Sequence, residues 1–209
     1  MMSPPGSRPF LNAKALRAQA KEALLERFAE PAARLLSQTG LTPNKVSVIG
    51  GALSLAAGHT ISRGHLFTGG VLVLAAGAMD VLDGALARAT GKKTRFGAVL
   101  DSTLDRVSEA AVLFGLLVLY TGAGSTPLVL LVYGTLVGSL LVSYIRARAE
   151  GLDITCDVGI LTRAERTIIM ALGLLLGKVP PALVTLALFS YITAAQRLLQ
   201  VRRATAGDP

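Results

Sequence analysis

Residues 80–105, DVLDGALARATGKKTRFGAVLDSTLD, constrain this chain more than any other stretch. They start inside one apolar run, Val71 to Ala76, and end where another begins, Val107 to Leu119. Four carboxylates, Asp80, Asp83, Asp101 and Asp105, therefore ride on apolar helices. Steps of three or four residues return a helix to the same face, so each pair of acids stands one turn apart on one face. Gly84, four residues after Asp80, and Gly97, four before Asp101, leave bare backbone beside the acids where a ligand can come close. One Asp at mid-bilayer costs about 3 kcal/mol, so four without partners approach ~10 kcal/mol. Something must compensate them. Ion pairs with Arg88, Lys92, Lys93, Arg95 or Arg106 would do so, as would a proton relay. With no His or Cys among them, the four acids also make an all-oxygen site suited to Mg²⁺ or Mn²⁺. Two such ions a few ångströms apart are a device of phosphoryl chemistry.

Composition narrows the class. The chain has 209 residues, 52% of them hydrophobic, and a net charge of +8. Its mean hydropathy is +0.56. This describes a polytopic membrane protein with basic loops. Nucleic acid is not an expected partner, because there is no Trp and few aromatics interleave with the basic residues. The single Cys156 excludes an intrachain disulfide. No apolar core follows the basic N-terminus early enough for a cleavable leader.

The expected fold is all-α, with six transmembrane helices preceded by an amphipathic interfacial helix. Residues 1–40 form the lead-in and that helix, and residues 41–209 the six-helix domain. Between Phe10 and Thr39, Leu16, Ala20, Leu24 and Phe28 recur every four residues, as in a helix lying on anionic lipid, and Pro31 is expected to break or kink it. Thr42-Pro43 reads as an N-cap followed by proline in the first turn. The spans fall at about residues 44–62, 66–89, 98–120, 128–149, 162–177 and 182–201. The fifth is the weakest, since its apolar part is too short to cross unless Arg163 and Arg166 enter a polar pocket. With the N-terminus inside, only Arg63 and Lys178 of the 21 basic residues fall on the outer side. That bias places both termini and the Asp cluster at the cytoplasmic face of the plasma membrane.

Asp80-x2-Asp83-Gly84-x2-Ala87-Arg88-x8-Gly97-x3-Asp101-x3-Asp105 resembles, at each fixed position, the signature of the CDP-alcohol phosphotransferases. These are integral membrane enzymes that move a phosphatidyl-type group from a CDP-linked lipid to an alcohol and release CMP. The resemblance implies that Asp80, Asp83 and Asp101 hold two metal ions, Mg²⁺ or Mn²⁺. Asp105 would sit at the edge of that site and act as general base. It further implies that CDP-diacylglycerol lies against Asn44, Lys45, Val46, Ser47, Gly84, Arg88 and Thr94. Asn44 stands where some relatives carry Asp. Gly84 and Ala87 also fit close helix packing alone.

The acceptor is read from basic residues. Arg146, Arg148, Arg163 and Arg166 flank the fourth-to-fifth connection, and Arg197 ends the sixth span. Arginine matches phosphate bidentately, although such residues also serve as ordinary cytoplasmic-side charges. Residues 94–101, 143–150 and 163–169 resemble the actinobacterial phosphatidylinositol-phosphate synthases, a branch of the same family. That likeness implies inositol phosphate as acceptor, bound by Arg146, Arg148, Arg166 and Arg197, and a homodimer, for which Gly134-x3-Gly138 offers a packing face. Arg146 stands in place of a Lys and Ala164 in place of a Pro, and neither removes a charge. The rivals are a glycerol 3-phosphate acceptor, a CDP-archaeol donor and, outside the class, an Asp-based cation or proton carrier. A carrier has no need of Gly84, Ala87, Arg88 and Gly97 at these intervals.

Overall fold

A computed structural model describes residues 30–38, 40–91 and 94–206. Among these there are seven helices and no strand: α1 (Glu30–Gln38), α2 (Pro43–Ser62), α3 (Leu66–Ala89), α4 (Arg95–Gly122), α5 (Thr126–Glu150), α6 (Arg163–Leu175) and α7 (Val179–Ala204). Most of the expected amphipathic segment lies outside the described residues. Pro31, expected to break or kink it, is the second described residue of α1, and the residues before Glu30 lie outside the described ones.

Local chemistry sets the helix ends. Thr42 caps α2, its side chain accepting from the Lys45 N–H, with Pro43 in the first turn. Thr94 caps α4 by accepting from the Gly97 N–H at 2.9 Å. Thr162 and Glu165 form a reciprocal capping box at the start of α6. Pro180 and Pro181, expected ahead of the last span, lie in the first turn of α7. Turns between helices are closed by Gly64, Gly91, Gly124 and Gly177, all at positive φ.

Three helices, α3, α5 and α7, are long and apolar enough to cross a membrane. Many large apolar side chains face outward, including Phe67, Phe114, Leu130 and Leu188. A soluble surface does not carry so many, and together with the apolar helices they mark a membrane protein. The expected six spans correspond in position to α2 through α7. At 13 residues, α6 is only about 20 Å long and cannot cross a ~30 Å core by itself.

α2 packs along both α3 and α4, α5 along α4 and α7, and α6 on α3 and α7. The larger core joins Ile61, Leu113, Leu116, Leu174 and Leu183, and a smaller one joins Ala33, Val46, Ala85 and Leu86. Glycines let α2 come close to both neighbours. A Cβ on Gly50 would stand 3.2 Å from that of Met79, and one on Gly51 3.1 Å from Leu104. Where α2 meets α4, backbone touches backbone: a Cβ on Gly58 would strike the Ala111 carbonyl, and one on Gly115 the Gly58 carbonyl. This crossing fixes how near α2 brings its polar end to the acids of α3 and α4. Gly138 packs inside the chain, where a Cβ would stand 3.2 Å from that of Ser190, while Gly134 faces open space.

Gly115→Ala is expected to destabilise the detergent-purified protein by about 1–3 kcal/mol, because neither backbone can step aside. Gly134→Ala should be neutral or stabilising by up to about 1 kcal/mol. Melting curves of the two variants check this, and equal losses would remove the backbone contact as the cause.

Candidate metal and nucleotide centre

The four acids come together as the two helices converge. Asp80 and Asp83 project from the last three turns of α3, Asp101 and Asp105 from the first half of α4. Asp80, Asp101 and Asp105 each offer an oxygen, and these oxygens all lie within 4.8 Å of one another. Asp83 lies outside this triad but lines the same cavity, together with Ser47, Gly50, Gly51 and Ser54 of α2. It is 6% exposed and accepts a 2.6 Å hydrogen bond from the Ser47 hydroxyl. The glycines of α2 are what admit Ser47 to that distance.

The counter-charge comes from α6. Arg163 reaches Asp80 Oδ1 at 2.6 Å through Nη1 and Asp105 Oδ1 at 2.7 Å through Nη2. None of the cations expected to pair with the acids does so among the described residues, where Arg106 donates instead to the Ser102 carbonyl of its own helix. Lys92 and Lys93 lie outside the described residues. Three converging carboxylates against one guanidinium leave net negative charge and oxygen-only donors, and this suits a hard divalent cation.

Beside the acids opens a cleft lined by Pro43, Asn44, Ser47, Gly84, Thr94 and Gly97, among others. Asn44 and Thr94 crowd Gly97: a Cβ there would lie 3.0 Å from Asn44 Oδ1 and 2.9 Å from Thr94 Oγ1. Lys45 and Arg88 are exposed and do not line the cleft, although Arg88 Nη1 would stand 3.4 Å from a Cβ on Gly84. Val46 does not face the cleft. It is buried against Ala85 and Leu86 in the smaller core.

The arginines expected at the acceptor end are held in place. Arg166, 5% exposed, forks onto Glu109 of α4 at 2.9 and 3.1 Å. Arg197 donates to the Val142 and Val158 carbonyls at 2.6 and 3.0 Å. Arg146 and Arg166 lie near enough for their charges to act on Arg197. Arg146 is also paired with Glu150 on the exposed end of α5. Arg148, two residues on, stands on another face of that helix. A second cavity runs from Asp105 to Arg166, bounded also by Ser108, Glu109 and Arg163 with apolar walls from Val112, Leu113 and Met170, and Arg146, Arg148 and Arg197 do not line it.

Arg163, expected in a polar pocket, is in one, but nothing in its neighbourhood pointed to Asp80 or Asp105 as its partners. Glu109 escaped the sequence reading altogether. Its signal was an acid one turn beyond Asp105 in an apolar run.

Residues 40–201 match the CDP-alcohol phosphatidyltransferase family. The chain is 40% identical over 185 residues to the phosphatidylinositol phosphate synthase of Mycobacteroides abscessus, covering 84% of each chain. It is 37% identical to the archaetidylinositol phosphate synthase of Pyrococcus horikoshii, covering 81% of this chain and 88% of that one. Its fold matches the crystal structure of Mycobacterium tuberculosis phosphatidylinositol phosphate synthase with CDP-DAG bound at a TM-score of 0.78 and 39% identity, over 84% of this chain and 94% of the other. The same enzyme with manganese and citrate matches at 0.77, with 39% identity, over 83% and 88%. The chain belongs to the CDP-alcohol phosphatidyltransferase family.

Ser47→Ala should leave the buried Asp83 carboxylate short of a donor and destabilise the fold by about 1–3 kcal/mol. Ser47→Thr, which keeps the hydroxyl, should recover most of it. Thermal unfolding in detergent reads both, and an unchanged Ser47→Ala would show that the bond contributes nothing.

Proposed function

We propose that the chain transfers the phosphatidyl group of CDP-diacylglycerol to a hydroxyl of inositol phosphate, giving phosphatidylinositol phosphate and CMP. The convergence of Asp80, Asp101 and Asp105 carries this reading, with the cleft of Asn44, Ser47, Gly84 and Thr94 opening beside it. The names of the relatives support the acceptor. In this reading Asp80, Asp83 and Asp101, with Asp105 at the edge, hold two divalent ions, Mg²⁺ or Mn²⁺. Such ions neutralise the pyrophosphate and the departing CMP phosphate when bound. A manganese complex of the M. tuberculosis enzyme supports a divalent metal.

The chain's own residues do the rest. Gly84, lacking a Cβ, lets the nucleotide lie against α3, while Asn44 and Ser47 face it from α2 and Thr94 from the rim, and the exposed Lys45 and Arg88 reach it from outside the cleft. Val46 keeps that turn of α2 in register by packing in the core. Asp105 takes the proton from the acceptor hydroxyl as its oxygen bonds to the lipid-bearing phosphorus and the bond to CMP breaks. It stands at the junction of the metal cavity and the cavity that runs toward Arg166. Arg166 and Arg197, with one of Arg146 and Arg148, which stand on different faces of α5, receive the acceptor's phosphate. A CDP-archaeol donor is the second reading, favoured by the archaeal relative, and it leaves the same residues in the same roles.

The six helices α2–α7 form the catalytic domain in the plasma membrane, both termini and the active site are cytoplasmic, and the enzyme works as a homodimer. A Cys placed at Arg63 should then react with an impermeant maleimide added outside cells, and one at Arg203 only after permeabilisation. The reverse pattern would invert the topology.

Purified protein with CDP-diacylglycerol and Mg²⁺ should release CMP when given inositol 3-phosphate, and not with myo-inositol, glycerol 3-phosphate or serine. Chelation with EDTA should stop the reaction. Asp105→Asn should lower the rate at least roughly a hundredfold while CDP-lipid binding persists. Release with glycerol 3-phosphate alone would keep the chemistry and sink the inositol assignment.

A further inference from the structure

We propose that Arg163 is a resident counter-cation of the acidic centre, competing with divalent ions for Asp80 and Asp105 and thereby setting how tightly they bind. The proposal rests on the metal-dependent reading above. Arg163 bonds two of the three carboxylates that converge, Asp80 at 2.6 Å and Asp105 at 2.7 Å, with one nitrogen for each. Its fork therefore bridges α3 and α4 across two of the three carboxylates that a metal would use. A divalent ion of this type binds oxygens at about 2.0–2.1 Å in a close shell. A guanidinium held on both carboxylates would stand within a few ångströms of that ion, where the two positive charges repel.

The surroundings let Arg163 leave. It is the first residue of α6, whose first turn is fixed by the capping box of Thr162 and Glu165 rather than by the ion pairs. Its side chain is about one-third exposed, at 32%. The long stem can swing outward while the helix stays in place. Arg166, one turn further on, has its own buried partner in Glu109 and does not enter the exchange. A guanidinium released beside the acids is also a ready bidentate partner for phosphate oxygens.

The opposite role is equally definite. If Arg163 only pins α6 to the carboxylates and keeps them aligned, its removal loosens the site and weakens metal binding. The sign of the change separates the two. Mn²⁺ is titrated into the full chain in detergent, without lipid or nucleotide, and the free ion is followed by its electron paramagnetic resonance signal. Arg163→Gln is expected to bind Mn²⁺ roughly tenfold more tightly than the wild type. Arg163→Lys, which keeps the charge but not the fork, should fall between them. Equal or weaker binding by Arg163→Gln overturns the proposal while leaving the metal reading intact. No binding by either protein overturns both. A readout on the wild type covers a variant that does not fold: phenylglyoxal modification of Arg163, followed by peptide mass spectrometry, should quicken several-fold when Mn²⁺ is added. An unchanged or slower rate overturns the proposal.

Discussion

Carboxylates held at the polar ends of apolar helices need partners, and the tertiary structure brings them to Asp80, Asp83 and Asp105. A charge without a partner in such surroundings is disfavoured by several kcal/mol. Ser47 of α2 serves Asp83, Arg163 of α6 serves Asp80 and Asp105, and Arg166 serves Glu109 one turn deeper. These bonds tie α2, α3, α4 and α6 into one polar unit set among apolar cores. Moving any of these helices by an ångström would strand a buried charge. The glycine contacts of α2 follow from the same constraint, because a Cβ at Gly58 would push α2 off α4 and carry Ser47 away from Asp83.

The shortness of α6 belongs to this logic. A full-length span would set its N-terminus at the lipid edge, beyond reach of the acids. At 13 residues, with its start fixed by Thr162 and Glu165, it instead presents Arg163 and Arg166 to α3 and α4 from within the bundle. The loop before it is held by α7, where the Thr193 hydroxyl accepts from the Ile160 N–H and Arg197 bonds the Val158 carbonyl. Two cations can sit among apolar helices because the chain arrives there as an anchored loop and a capped turn.

Much of this was readable in the sequence, for identifiable reasons. Asp80, Asp83, Asp101 and Asp105 could be assigned to paired faces because their spacing is local, and the helix starts at Thr42 and near Thr162 each depend on a bond across three residues. The same bond at Thr94 went unread, and α4 starts three residues before the expected span. What the sequence concealed is long-range. Arg163 and Asp80 are joined only by the way α6 packs on α3, so the partner of the acids was sought among adjacent basic residues instead. Gly58 and Gly115 look like ordinary small residues until two backbones are seen to touch. Val46 sits among residues assigned to the nucleotide, yet helical periodicity turns it to the core side of the same turn. Its neighbour Ser47 faces the acids.

The arginines near the acceptor end show how structural and binding roles combine. A guanidinium carries five N–H donors. Arg166 uses Nε and Nη2 on Glu109, and Arg197 uses Nε and Nη1 on backbone carbonyls. Each therefore keeps donors unspent after its plane has been fixed. A side chain oriented this way loses little rotamer entropy when an anion arrives, whereas a free surface arginine must be ordered at that moment. The bonds to Glu109, Val142 and Val158 thus do not compete with a phosphate-binding role. They would preorganise these side chains for the phosphate-binding role proposed above.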